Sequence, residues 1–172
     1  MASLMETLID VLNRESAEYE NLLKLTMKKT PVIVSENLEE LAKITDEEQI
    51  IVSRINHLDH QREEAVNDIA NVLNKDVTKL KITDLIKMLA PRPEEQAKLA
   101  ATFDRLKENV RGVKRVNEQN RELIESALEL VQFNMNVLQS IKSAPETANY
   151  NRGAYSTGDS IGMNQMSFDA KQ

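Results

Sequence analysis

The chain has 172 residues, of which 41% are hydrophobic and 29% are charged, and its formal net charge is −6. This composition is typical of a folded protein built from long helices, and the negative charge argues against nucleic acid as a partner. Cysteine is absent, which excludes thiol nucleophiles, disulfides and the usual structural zinc sites. No motif for a cofactor or a metal is found in the sequence, and no cofactor or metal is expected.

The N-terminal residues lack the features of a targeting segment. Residues 1–12 include Glu6 and Asp10, where a signal peptide would have a basic start followed by an apolar run. No apolar stretch approaches the roughly 20 residues that cross a bilayer. We therefore expect no signal peptide and no direct membrane insertion.

Apolar residues at helical spacing predict a first helix over residues 2–29. Pro31 lacks a backbone N–H and biases Thr30 away from the helical conformation. The first helix therefore either ends before Pro31 or kinks there and continues to Val34.

A second helix is predicted over residues 36–74, where apolar residues again recur at helical spacing. Ser35 or Asn37 is expected to cap it. Asn37 followed by Glu40 has the spacing of a capping box, with Asn in place of the usual Ser or Thr.

The remaining periodic segments predict a short helix and a long one. The short helix covers residues 82–89, is capped by Thr83 or a neighbouring residue, and ends at segment 90–93, which contains two prolines. The long helix covers residues 94–142, and Pro145 forbids its continuation.

The long helix carries a heptad of seam positions that broadens toward its C-terminal end. The seam comprises Leu99, Phe103, Leu106, Val110, Val113, Asn117, Asn120, Ile124, Ala127, Val131, Asn134, Leu138 and Ile141. The flanking apolar positions are Val116, Leu123, Leu130 and Val137 on one side and Leu128 and Met135 on the other. A two-column seam suits one partner helix, whereas this wider stripe is able to contact more than one.

The composition changes at Ser143. Asn, Ser, Thr, Gly and Gln dominate residues 143–172 without any periodicity, so this segment is predicted to be a flexible polar tail. Residues 1–142 are predicted to form one helical bundle domain.

These elements predict an all-α fold. We expect an elongated antiparallel three-helix bundle, or coiled-coil hairpin, with one short extra helix and the flexible C-terminal tail. The second and long helices would form the hairpin. The first helix would lie beside the first half of the second helix and the second half of the long helix.

Polar residues interrupt the apolar seams of three helices. If the turns are tight and the helices pair antiparallel, these residues are predicted to lie at one level of the bundle. With Arg121, which lies beside the seam, they form a predicted layer comprising Glu15, Glu18, Glu48, Asn117, Asn120 and Arg121. A hydrogen-bonded polar layer fixes helix register at some cost in stability. The alternative is that the helices splay and these groups contact water.

No catalytic motif is present in the sequence, and no enzymatic activity is expected. His57 and His60 have a spacing that suits a metal on a helix face or a phosphoacceptor, but both are predicted to point outward from the seam residue Ile55 into solvent. The carboxylates Glu39 and Glu40 and those of segment 46–48 are predicted to be a charged helix face, because acid–base pairs require a pocket.

The wide stripe on the long helix has two interpretations. Its flanks either pack on the first helix or remain open in the free protein. A contiguous open apolar patch usually marks a partner site, and a helix-in-groove contact would be the expected mode.

Two segments resemble the FlgN-type flagellar export chaperones. The first hairpin of that family resembles residues 22–62, LLKLTMKKTPVIVSENLEELAKITDEEQIIVSRINHLDHQR, and its C-terminal helix resembles residues 120–138, NRELIESALELVQFNMNVL. The tail, with Tyr150, Tyr155 and Gly158, is similar to the tails of members from Gram-positive bacteria.

The resemblance implies a non-enzymatic cytosolic chaperone of the flagellar type III secretion system. Such a chaperone binds the C-terminal helical segments of hook-associated proteins, which form the hook–filament junction, and delivers them to the export gate at the membrane. The resemblance assigns client binding to Leu123, Leu128, Leu130, Val131, Met135, Val137 and Leu138. Tyr150 and Tyr155 are candidates for docking at the export gate, and the alternative is a tail without function.

Two other functional classes remain open at this point. One is a coiled-coil scaffold or adaptor that self-associates through the same stripe. The other is a phosphotransfer bundle that uses His57 or His60.

Overall fold

The computed structural model describes residues 2–76, 78 and 80–143, with Ala2 described by its backbone only. The described residues form helices and connecting turns, and no strand occurs among them, which confirms the all-α prediction. The four helices are α1 (Ala2–Val34), α2 (Leu38–Val72), α3 (Ile82–Met88) and α4 (Pro93–Ser143). Except for Ser143, the predicted tail over residues 143–172 lies outside the described residues.

Helix α1 continues through Pro31. The helix extends to Val34, and the Ser35 backbone N–H donates to the Pro31 carbonyl at 3.0 Å. A proline inside a helix removes one hydrogen bond and crowds the preceding turn. Ile33 is buried just beyond it, and burial of that side chain offsets part of the cost.

The turn after α1 is a Schellman motif with a glutamate in the left-handed position. The Asn37 N–H donates to the Val32 carbonyl at 3.3 Å, and the Glu36 N–H donates to the Ile33 carbonyl at 3.1 Å. Glu36 has a φ of 55°. Glycine is the usual residue here, because a Cβ makes the left-handed conformation unfavourable.

Asn37 begins α2, which confirms one of the two predicted caps. Its Oδ1 accepts a hydrogen bond from the Glu40 N–H at 3.1 Å. Ser35 does not cap the helix, because its hydroxyl donates back to the Val32 carbonyl at 3.1 Å.

Helix α2 also ends in a Schellman motif. The Lys75 N–H donates to the Ala70 carbonyl at 3.0 Å, and the Asn74 N–H donates to the Asn71 carbonyl at 3.2 Å. Asn74 has a φ of 53°. Asparagine tolerates this conformation better than most residues, so this turn follows the usual preference and the turn after α1 does not.

The two remaining helices begin close to the predicted positions. Helix α3 starts at Ile82 after Lys81, whose N–H donates to Asp84 Oδ2 at 3.3 Å, so the capping residue lies two positions before Thr83. Helix α4 starts at Pro93, where a missing N–H removes no helical hydrogen bond.

The chain divides into two units between Val131 and Gln132, and the structure describes residues 132–143 of the second unit. The first unit holds a core to which all four helices or their capping residues contribute. This core comprises Met5, Leu8, Leu12, Ala65, Ile69, Ile82, Leu85, Leu89, Leu99 and Leu106. A smaller buried cluster comprises Leu22, Ile55 and Val113.

Within the first unit, α1 lies beside the N-terminal part of α4 and runs in the same direction. Thr102 Oγ1 donates to Asn13 Oδ1 at 3.2 Å, and Thr30 Oγ1 donates to Asn120 Oδ1 at 2.7 Å. The prediction that the first helix lies beside the second half of the long helix was therefore wrong. Because α1 continues through Pro31, its turn comes later in the chain than the predicted register assumed.

Candidate functional site

A polar network lies at the end of the first unit, between the core and the α1–α2 turn. Lys29 Nζ lies 2.7 Å from Glu48 Oε2, and both side chains are largely removed from solvent. The Thr26 hydroxyl donates to the Leu22 carbonyl at 2.8 Å and lies 3.3 Å from Glu48 Oε1. This arrangement pairs the Glu48 carboxylate with a cation and places a hydroxyl beside it.

Asn120 joins α4 to the same network. Its side chain is buried, with 3% of the residue exposed. Asn120 Nδ2 donates to the Thr26 carbonyl at 2.9 Å, while its Oδ1 accepts from the Thr30 hydroxyl at 2.7 Å. A buried amide with both ends paired fixes the register of the helices that it joins.

A second polar cluster lies nearer the N-terminus of α1. The Glu15 side chain is buried, and its Oε2 lies 3.1 Å from Arg62 Nε. Arg62 also pairs with Asp59 on its own helix. Burial raises the pKa of the Glu15 carboxyl, and the charge of Arg62 acts in the opposite direction. Glu18 Oε1 lies 3.9 Å from Arg54 Nη1.

The structure therefore replaces the predicted single layer with these two separate clusters. It joins Glu48 to Asn120 through Thr26, but it pairs Glu15 and Glu18 with arginines of α2. Asn117 is exposed on α4.

Arg121 is also exposed, and its Nε lies 2.9 Å from Glu125 Oε1 of the same helix. The predicted layer assumed a turn near Pro31. The observed turn lies later in the chain, so each residue of α1 faces a different residue of α2 from the one predicted. The polar residues were therefore placed at the wrong level of the bundle.

Beyond Asn120, the apolar residues of α4 become solvent-exposed. Within the first unit, Leu123 is half-buried, whereas Leu128, Leu130 and Val131 are exposed. Within the second unit, the predicted client-binding residues Met135, Val137 and Leu138 are exposed as well.

Phe133 and Ile141 also expose large apolar side chains, and the predicted client-binding set omits both. Ile141 was identifiable as a seam residue. Phe133 lies outside the columns of the heptad, so only a count of apolar residues around the whole helix would have found it.

An apolar groove of about 280 Å³ lies between the α1–α2 turn and α4, entirely within the first unit. The residues that line it are Val32, Ile33, Glu36, Leu38, Leu41, Ile124, Ala127, Leu128 and Val131. Sequence reasoning missed the wall formed by α1 and α2. That wall exists because α1 continues through Pro31, a question that the sequence pattern left open.

The comparison with protein families identifies the chain. The family model described as FlgN protein matches residues 1–157. The chain belongs to the FlgN family. No curated protein and no solved structure gives a significant match. Membership in the FlgN family supports a general role as a flagellar export chaperone, and this is a family of chaperones rather than of enzymes.

The two histidines of this FlgN-family chain lie about one turn apart on α2. His57 and His60 are both exposed, as predicted. His57 Nε2 lies 3.1 Å from Gln61 Nε2, and His60 Nδ1 lies 3.8 Å from Glu63 Oε2. Among the described residues, no group of three His, Asp or Glu side chains is arranged to hold a metal ion.

Two other predictions for this FlgN-family chain concern the tail tyrosines and membrane insertion. Tyr150 and Tyr155 lie outside the described residues. Over the described part of the chain, no helix combines the length and the apolar character required to cross a membrane.

Proposed function

We propose that this FlgN-family chain acts in the cytoplasm, binds the C-terminal helical segments of hook-associated proteins, and delivers them to the export gate. The observation that carries the proposal is the exposure of large apolar residues along the last part of α4. Exposed apolar patches of this kind mark partner sites in soluble proteins.

The proposed client surface is the set of residues that the family resemblance assigned. It comprises Leu123, Leu128, Leu130, Val131, Met135, Val137 and Leu138. All except Leu123 are exposed, and Leu123 contributes through its accessible part. Phe133 and Ile141 are added because their side chains are exposed on the same helix.

Binding would act by competition. The apolar face of a client helix associates with other client molecules unless another apolar surface covers it, and α4 supplies such a surface. A standard protein interface buries about 800 Å² per partner. Because ordering a flexible client segment opposes binding, the buried area alone does not set the affinity. Docking at the export gate would involve Tyr150 and Tyr155.

The test is co-expression of the full chain with candidate hook-associated proteins, followed by size-exclusion chromatography. Leu130→Glu places a charge on the exposed apolar surface, so we expect it to abolish the complex and leave the helicity by circular dichroism unchanged. Gln132→Glu adds the same charge at an exposed polar position and is the matched control. Unfolding of Leu130→Glu would show that this residue belongs to the core and not to the client site.

The same exposed residues also support a second candidate, a scaffold that self-associates through α4. Apolar surface left open by one copy is able to pair with that of another. Sedimentation equilibrium of the free chain separates the two functions. A monomer at all concentrations supports the chaperone, and a dimer that Leu130→Glu dissociates supports the scaffold.

A further inference from the structure

The apolar groove between the α1–α2 turn and α4 extends beyond the surface that the family resemblance assigned, because α1 and α2 form one of its walls. One wall comes from residues Val32 to Leu41, and the other comes from residues Ile124 to Val131. Its volume of about 280 Å³ suits a few apolar side chains from successive turns of a helix. Leu128 and Val131 belong both to this groove and to the proposed client surface.

The α2 wall exposes a leucine that the fold does not bury. Leu38, the first residue of α2, is 76% exposed. A leucine so exposed gains little from packing in the folded chain. Its position on the edge of an apolar groove is typical of a docking surface.

Glu36 is the one charged residue among those that line the groove. It has a φ of 55°, in the position of the Schellman motif where glycine is preferred. Within the described part of the chain, its carboxylate has no ion-pair partner. A residue held in an unfavourable backbone conformation beside a groove points to a role for its side chain in binding.

We propose that this groove receives a basic amphipathic helix, whose apolar side chains enter it and whose lysine or arginine pairs with Glu36. This helix is the client segment of the proposed function, on which the inference therefore rests. The client would then contact the α1–α2 turn in addition to α4.

Charge complementarity favours such a partner over the two other occupants available. Residues 144–172 contain three acidic and two basic side chains, so the chain's own tail has no excess of positive charge. A second copy of the chain has a net charge of −6. Neither offers the excess of positive charge that a basic helix brings to the Glu36 carboxylate.

The experiment measures binding of a dye-labelled peptide to the full chain by fluorescence anisotropy. The peptide is the C-terminal helical segment of a hook-associated protein that forms a complex with the wild-type chain. Leu38→Glu is expected to weaken binding about tenfold. Val72→Glu, at an exposed apolar position at the other end of α2, is the matched control and should bind normally.

Glu36→Gly provides a readout that a purely structural role would not produce. Glycine relieves the unfavourable backbone conformation, so the Tm should rise. Loss of the carboxylate should nevertheless weaken peptide binding about threefold at low salt, and the difference should shrink at high salt. Glu47→Gln removes an exposed carboxylate elsewhere on α2 and should leave binding unchanged.

The alternative outcomes are distinguishable. If both groove variants bind the peptide normally while Leu130→Glu does not, the groove inference fails and the proposed function stands. If no hook-associated segment binds the wild-type chain, both fail.

Two further measurements test the other occupants. Tighter peptide binding by Phe168→Asp would make the tail the occupant and overturn the inference. Dissociation of a wild-type dimer by Leu38→Glu would make the occupant a second copy, with the same consequence. If Leu38→Glu lowers the Tm, its weaker binding could reflect a loss of folding. Peptide binding by Glu36→Gly then decides whether the groove inference stands.

Discussion

The two ends of α4 share one heptad but differ in burial. From Leu99 to Asn120, the helix contributes side chains to the core and to the polar network of the first unit. From Leu128 to Ile141, its large apolar side chains are exposed. An apolar pattern therefore predicts that a helix requires a partner surface, but it does not reveal whether that partner is part of the same chain.

The largest expected effect compares the same substitution at the two ends of the helix. Leu99 is completely buried and Leu130 is 55% exposed. Leu99→Ala should lower the free energy of unfolding by about 2–5 kcal/mol, because it leaves a cavity. Leu130→Ala should change it by less than about 0.5 kcal/mol. Urea denaturation measures both, and similar losses at the two positions would remove the distinction between the two ends.

A smaller effect tests where the buried part of α4 ends. Asn120→Ala would leave the Thr26 carbonyl and the Thr30 hydroxyl without their partner, at a cost of about 1–3 kcal/mol. Asn117→Ala, at an exposed position on the preceding turn, is the control and should be close to neutral. Equal losses of stability for the two variants in thermal unfolding would indicate that Asn117 belongs to the polar network, as the sequence predicted.

A third prediction concerns pH and tests the polar cluster inside the first unit. Burial raises the pKa of the Glu15 carboxyl above its ordinary value of 4.5, so the folded chain retains a proton that the unfolded chain has released. The resulting stability is fully present below about pH 4.5 and is lost as the pH rises through the raised pKa. As the pH rises over that range, the free energy of unfolding of the wild-type chain should therefore fall relative to that of Glu15→Gln.

Urea denaturation between pH 4 and pH 7 measures this difference. Glu47→Gln, which changes an exposed carboxylate, provides the control. A difference between wild type and Glu15→Gln that does not vary with pH would contradict the burial of an ionisable Glu15.

Most of the helices were predictable because their apolar spacing and their terminal residues agree. Asn37 begins α2, and Pro93 begins α4, where local hydrogen-bonding chemistry favours a helix start. Pro31 was ambiguous, because local preferences oppose a helix there while burial of Ile33 favours its continuation. Local sequence does not report how much tertiary packing offsets a proline.

That ambiguity caused the errors in the site. The register of α1 against α2 depends on where their turn lies, and the turn at residues 35–37 pairs Glu15 with Arg62 instead of placing it beside Glu48. The groove was missed for the same reason, since its wall is built from the last turn of α1 and the start of α2. The wide apolar stripe of α4 was found because it required only the period of one helix, whereas its exposure was one of two interpretations.

Hydrogen exchange along α4 tests the central claim most directly, with the full chain measured alone and with a bound hook-associated segment. In the free chain, residues 99–120 should exchange slowly and residues 123–143 faster, because exposed helix opens more readily. Client binding should slow exchange over residues 123–143 and leave residues 99–120 unchanged. Protection of residues 123–143 that a bound client does not alter would contradict the assignment of this surface to client binding.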